Sequence, residues 1–214
     1  MDNLTLYIGN KNYSSWSFRP WIAMAGCNIP FEDVVIPFDF PAGNPKIKEI
    51  SPSGCVPLLR HGDVCVWESL AIIEYVAELF PHAGLWPAER AARATARAVS
   101  TEMLGGFRAL RGACPMNIRR PKRAIELPNG VMADVRRIEA IWRECRTKSG
   151  GPFFGAFSAA DAMFAPVVNR FAIYDLVTDP ETLAYMEAMK SHPAWLRWEQ
   201  AALAEPWIVP EDEA

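Results

Sequence analysis

The chain has 214 residues, half of them hydrophobic and 22% charged, with a formal net charge of −3: a globular composition with room for one large domain or two small ones. Its basic residues are dispersed and no apolar run approaches the ~20 residues of a membrane span, so neither nucleic acid nor a membrane is an expected partner. Five scattered cysteines without a C-x-x-C, three distant histidines and an N-terminus lacking a secretory pattern argue against a disulfide framework or a metal site, and for reduced thiols in a cytoplasmic protein.

The first 80 residues alternate strand and helix patterns. Leu4–Ile8 reads as a strand, Trp16–Ala25 as a helix stopped by Gly26, and Phe31–Ile36 as a second strand ended by Pro37. Phe38–Ile50 is irregular, with one helical turn near Pro45–Ile50. Val56–Arg60 and Val64–Trp67 pair as a hairpin around Arg60-His61-Gly62-Asp63, and Ser69–Phe80 is a helix closed by Pro81. The order β-α-β-α-β-β-α predicts a small mixed sheet covered by helices, a thioredoxin-like layout.

Residues 82–87, bracketed by Pro81 and Pro87, read as a linker between a domain at 1–81 and an all-helical domain at 88–214. One long helix is predicted over Ala88–Cys114, a loop or short helix over Pro121–Pro128, and a helix over Val131–Lys148 with Val131, Val135, Ile138, Ile141 and Trp142 on its inner face. Ser158–Leu176 follows, opened by a Ser158-x-x-Asp161 capping box and interrupted by Pro166. Asp179 caps a helix beginning at Pro180, Pro193–Ala204 is the last helix, and Glu211-Asp212-Glu213 reads as a solvated tail.

Two segments carry chemistry. Val56-Pro57 places a residue without an N–H where a strand begins, leaving neighbouring backbone groups outside a full ladder. Glu68-Ser69 open the next helix, whose hydroxyl, orphan N–H groups and positive dipole end suit a carboxylate. Upstream, Ser14 and Ser15 sit at the start of the first helix. Pro20 limits that start, since its missing N–H is harmless only in a first turn, and Ser17 or a near neighbour fits as N-cap.

Val-Pro followed by Glu-Ser-x-Ala-Ile resembles the glutathione-binding half of the glutathione transferase superfamily. Ser14-Ser15-Trp16-Ser17-Phe18-Arg19 is similar to the Ser-Ser-Cys-x-x-Arg motif of its zeta class. The resemblance implies the glutathione transferase fold, an α/β thioredoxin-like domain followed by an all-α domain, and usually a homodimer. It implies a cis Val56-Pro57 bond, with Val56 pairing its backbone to the cysteinyl part of glutathione and Glu68 and Ser69 holding the γ-glutamyl end. Glutathione is then a co-substrate, transferred to a small electrophile, with no metal. Ser14 donates a hydrogen bond to the sulfur and Ser15 supports it, or the two exchange roles; Tyr7 and Tyr13 are rival hydroxyls. Trp16 replaces the class's cysteine, which puts cysteine-dependent chemistry in doubt and reshapes the mouth of the site. Arg19 is read as a fastener of the helix start.

A thiol titrates near ~8.5, and lowering it by about two units takes roughly 2.7 kcal/mol. A hydrogen bond to a charged acceptor contributes about 1.5–3 kcal/mol and a helix N-terminus about 0.3–1 kcal/mol, so the hydroxyl is the larger effect. Lys46 and Lys48 are candidates for the glycyl carboxylate, or simply solvated lysines; Cys55 reads as a packing residue or an exposed thiol. Met103, Phe107, Leu110 and Arg111 share one face of the predicted long helix, either as core or as the apolar wall of a second-substrate pocket with one cation. Asn117, Arg119 and Arg120 form an expected basic rim. Two alternatives accompany conjugation: glutathione-dependent cis–trans isomerisation of a maleyl-type diketo acid, favoured by an arginine meeting a carboxylate, and a binding or scaffold protein with little catalysis.

Overall fold

A computed structural model describes residues 3–213. Its first domain contains β1 (Leu4–Ile8), α1 (Ser15–Gly26), β2 (Glu32–Val35), α2 (Pro45–Ile50), β3 (Leu58–His61), β4 (Val64–Trp67) and α3 (Ser69–Leu79). The strands form one sheet in the order β2-β1-β3-β4, with β1 and β2 parallel and the other pairs antiparallel. Leu4, Leu6 and Ile8 alternate inward along β1, the period expected of a strand with a covered face. The thioredoxin-like layout stands, and the Val56-Pro57 bond is cis.

After a short 3-10 turn at Pro81–Ala83, the second domain runs through α4 (Arg90–Gly105), α5 (Arg108–Ala113), α6 (Val131–Ser149), α7 (Ala159–Ile173), α8 (Pro180–Lys190) and α9 (Pro193–Leu203). The helix predicted over Ala88–Cys114 is therefore two. Gly105-Gly106 is a poor helix continuation, costing about 1 kcal/mol per glycine relative to alanine, and Phe107 then takes a left-handed backbone at φ 56°. The kink turns Phe107 and Leu110 into the core. The loop over Pro121–Pro128 carries no helix. The predicted inner face of α6 is buried at all five positions. Ser158 and Asp161 form the capping box of α7, and Asp179 caps α8 by accepting from the Thr182 N–H.

The domains meet along α1, which packs between α7 and α9. Phe18 stacks on Trp198 (4.6 Å between ring centroids) and meets Trp195 edge-on (5.3 Å), burying three large aromatics at the joint. Gly26 makes this close approach possible: a Cβ there would stand 2.3 Å from the Phe157 ring. Helix α7 is buried along most of its length, Asn169 and Arg170 included.

Pro20 departs from the sequence expectation. It lies inside α1, past the first turn, because the helix starts at Ser15 with Ser14 as its N-cap. A proline there leaves the carbonyl of Trp16, four residues earlier, without its helical donor. The Ser69 hydroxyl supplies one at 2.8 Å, so the start of α3 repairs the ladder of α1.

The predicted solvated tail holds for Glu211 and Glu213, which are exposed, while Asp212 is partly buried in a cavity wall. Residues 205–213 fold back over the first domain and end in a 3-10 turn at Pro210–Asp212. Arg119 donates to the carbonyls of Glu205 (2.7 Å) and Trp207 (2.5 Å) and to the Tyr13 hydroxyl (2.9 Å). Tyr13 in turn donates to the Glu213 carboxylate. Among the described residues, no helix is long and apolar enough to cross a membrane.

Candidate active site

A cavity of about 410 Å³ opens between the domains at the N-terminus of α1. Its first-domain wall holds Ser14, Ser15, Trp16, Cys55, Val56, Pro57 and Glu68. Arg111, Pro115, Met116, Arg170 and Asp212 face them from the helical domain and the tail. Phe38 forms part of the first-domain side; its ring fills the space where a Cβ on Gly9 would stand 2.5 Å away, and its N–H donates to Asn10 Oδ1 at 2.8 Å.

The loop that delivers the serines is anchored from the far end of the chain. The Glu205 carboxylate accepts from the N–H groups of Lys11 (2.7 Å) and Asn12 (3.1 Å), and Trp198 Nε1 donates to the Lys11 carbonyl (3.0 Å). Burial raises the pKa of Glu205, and the two N–H groups and the Lys11 and Arg119 charges pull it back.

Ser14 Oγ accepts from the Ser17 N–H (3.3 Å) and donates to Ser17 Oγ (2.7 Å), which also receives the Gly9 N–H (3.1 Å). Its hydroxyl is thus engaged in capping. The Ser15 hydroxyl has no hydrogen-bond partner among the described residues and lines both this cavity and an adjoining one. The Tyr13 hydroxyl is taken up by Glu213 and Arg119, and Tyr7 is absent from the cavity wall.

Val56 stands ahead of the ladder, whose paired residues begin at Leu58. Glu68 precedes α3 with φ 70°, a left-handed backbone that costs a non-glycine residue about 1–3 kcal/mol and is commonest at functional sites. Its carboxylate is exposed and without a hydrogen bond among the described residues. Ser69 is fully buried and its hydroxyl proton is given to Trp16, so any part it takes in binding is as an acceptor or through its N–H.

Two arginines, Arg111 and Arg170, line the cavity, and a third, Arg19, is buried behind Trp16. Arg19 donates from Nε to the Met163 carbonyl (3.0 Å), Arg170 from Nε to Cys114 (2.8 Å), and Arg111 from Nη1 to Leu104 (3.0 Å). None forms an ion pair among the described residues, and the buried Arg19 Nη2 and Arg170 Nη1 have no partner there. Burial, with Arg111 adding repulsion, pushes Arg170 down to about 10. Arg19 is lowered by burial and then by Arg170 and Arg111. The Trp16 ring lies against two of them, 4.7 Å from the Arg19 guanidinium and 4.6 Å from that of Arg111.

Two family models cover most of the chain: "Glutathione S-transferase, N-terminal domain" over residues 13–79 and "Glutathione S-transferase, C-terminal domain" over residues 89–201. The chain belongs to the glutathione S-transferase family. It is 34% identical over 111 residues to a probable maleylacetoacetate isomerase of Caenorhabditis elegans, covering 52% of each chain. It is 28% identical over 181 residues to glutathione S-transferase Z1 of Arabidopsis thaliana, covering 76% of this chain and 79% of that one. The chain spans about half the length, or less, of the curated relatives it matches above 30% identity. Among solved structures, a Burkholderia glutathione transferase homolog with bound glutathione superposes with a TM-score of 0.73 at 22% identity, over 96% of this chain and all of that one, a likeness of fold.

The cavity therefore brings together Ser14, Ser15, Trp16, Val56, Pro57, Glu68 and Arg111 of the residues anticipated from sequence. Met103 and Phe107 are buried core, because the break after Gly105 ends the face they were expected to share. Lys46 is exposed beside a neighbouring cavity with Ile47 and Trp207, while Asn44 and Ser53 reach the main one. Asn117, Arg119 and Arg120 are no rim: Asn117 is buried against Asn12, Arg119 holds the tail, and Arg120 donates to the Ile173 carbonyl (2.9 Å). Arg170 and Asp212 were missed. An arginine in a helix otherwise polar only at Asp161 and Asn169 was the available signal for the first; a solvated-tail composition concealed the second.

Proposed function

We propose that this chain is a glutathione transferase, joining the glutathione thiolate to small electrophiles. The reading rests on one observation: serine hydroxyls at a helix N-terminus share a single cavity with Val56, Pro57 and Glu68. Val56 would pair its free backbone edge with the cysteinyl unit, and Glu68 with the γ-glutamyl ammonium. A hydroxyl donor worth about 1.5–3 kcal/mol to a charged acceptor lowers a thiol pKa by one to two units, which raises the thiolate fraction at neutral pH from a few per cent to a large share. Ser14 reaches this role by turning its O–H from Ser17 to the sulfur; Ser15 requires no such exchange. The molecule would act as a cytoplasmic homodimer, in keeping with its unpaired cysteines.

Ser14→Ala and Ser15→Ala decide between the donors and test the reading. The ultraviolet absorbance of bound thiolate, titrated against pH, should move up by one to two units in the variant lacking the donor, with kcat/KM for an aryl halide falling about 8- to 25-fold at neutral pH. Unaltered titration in both variants would refute the assignment. Retention on glutathione resin without turnover would instead favour a binding or scaffold role.

A second reading is supported by Arg111 and Arg170, which lack carboxylate partners on the cavity wall. They suit an acidic acceptor, as in cis–trans isomerisation of a maleyl-type diketo acid: the thiolate adds, the bond rotates, the thiolate leaves. Isomerisation without consumption of glutathione would establish it.

A further inference from the structure

Two carboxylates line the main cavity among the described residues, and they stand on opposite sides of it. Glu68 is on the side where the γ-glutamyl end belongs. Asp212 is across from it, on the folded-back tail, with Arg111 and Arg170. Its backbone is fixed: the N–H donates to Val209 (3.0 Å), the carbonyl accepts from Asn117 Nδ2 (3.4 Å), and the next residue, Glu213, is held by Tyr13 and Asn117. Its carboxylate has no hydrogen bond or ion pair among the described residues, although Arg170 Nη1 is equally without a partner and is buried. Arg170 acts on Asp212 through its charge, against burial and the charges of Glu211 and Glu213. Asp212 and Arg170 therefore line one cavity without forming an ion pair.

We propose that Asp212 is a specificity-determining residue for the second substrate: it offsets one of the two positive charges of Arg111 and Arg170, so that the acceptor side carries a net charge near +1. The inference rests on the transferase reading above. An acceptor with one carboxylate matches that charge and meets Arg170, while Asp212 opposes any further negative charge. Removing the Asp212 charge should strengthen the pocket's preference for anionic over neutral acceptors. Across a half-solvated cavity the like-charge effect is about fivefold.

The test uses a matched pair of aryl halides, 1-chloro-2,4-dinitrobenzene and 4-chloro-3,5-dinitrobenzoate. In both, the glutathione sulfur forms the new bond to carbon and chloride leaves with the electron pair. The ratio of kcat/KM for the benzoate to that for the neutral halide should rise about fivefold in Asp212→Asn and stay at the wild-type value in Asp212→Glu. A merely structural role would alter both acceptors together and leave the ratio unmoved; that result, or a shift toward the neutral halide, overturns the proposal. Binding of 3,5-dinitrobenzoate and of 1,3-dinitrobenzene to the glutathione-loaded protein gives the same ratio without turnover. Absence of turnover with both halides would sink the transferase reading, while the binding ratio would still judge Asp212.

Discussion

Ser69→Ala should destabilise the protein through a helix it does not belong to. Its hydroxyl donates to the Trp16 carbonyl at 2.8 Å, and Pro20 has no N–H to offer in its place. The variant leaves that part-buried carbonyl without its donor, which costs about 1–3 kcal/mol. For a chain of this length each kcal/mol lowers Tm by about 2–4 °C, so a fall of ~2–12 °C is expected. Pro20→Ala restores a main-chain donor, at the cost of about 0.4–1 kcal/mol of unfolded-state entropy. The double variant Ser69→Ala/Pro20→Ala should therefore be more stable than Ser69→Ala alone, with a coupling energy of about 1 kcal/mol or more by denaturant titration. If Ser69→Ala stays within 0.5 kcal/mol of wild type, or the two substitutions simply add, the proposed repair of α1 is wrong.

Gly9→Ala should push the Phe38 ring into the cavity, because the new Cβ would sit 2.5 Å from it; a rise in KM for glutathione, with about 1–3 kcal/mol lost to overpacking, is expected from kinetics and thermal melts. Asp161 is fully buried, and burial raises its pKa from 3.8 to about 7 despite donors from Ser158, Phe154 and Tyr185. The folded protein thus holds a proton that the unfolded chain releases near pH 4, so this group's contribution is full below pH 4 and is lost as pH rises toward 7. The loss is on the order of 4 kcal/mol, and the difference between wild type and Asp161→Asn in unfolding free energy should follow that window; a pH-independent difference would contradict it.

Much of the first domain was legible because its signals are local. Strand alternation, Gly26, Pro37 and Pro81 mark ends that the chain reads within a few residues, and Val56-Pro57 and Glu68 stand where their motif put them. What escaped depends on distant partners. Phe107 in a left-handed conformation divides a segment whose apolar spacing looks continuous, and Pro20 is accommodated beyond a first turn by Ser69, 49 positions later, so neither local rule held. The tail's attachment escaped for the same reason: Glu211 and Glu213 are exposed, as their polarity suggests, but bonds from Tyr13, Asn117 and Arg119 hold the segment against the rest of the protein. Of the candidate site, the first-domain wall with Ser14, Ser15, Val56 and Glu68 was anticipated as a cavity lining; the opposite wall, with Arg170 and Asp212, needed the fold.

The carboxylate that braces Lys11 and Asn12 belongs to residue 205, nearly 200 positions downstream. A nascent chain on the ribosome can complete its sheet and pack α3 against α1 long before that brace has left the exit tunnel. The segment presenting both serines is then the last part of the early domain to settle, so the ability to capture the tripeptide should lag behind the appearance of native β-structure during synthesis.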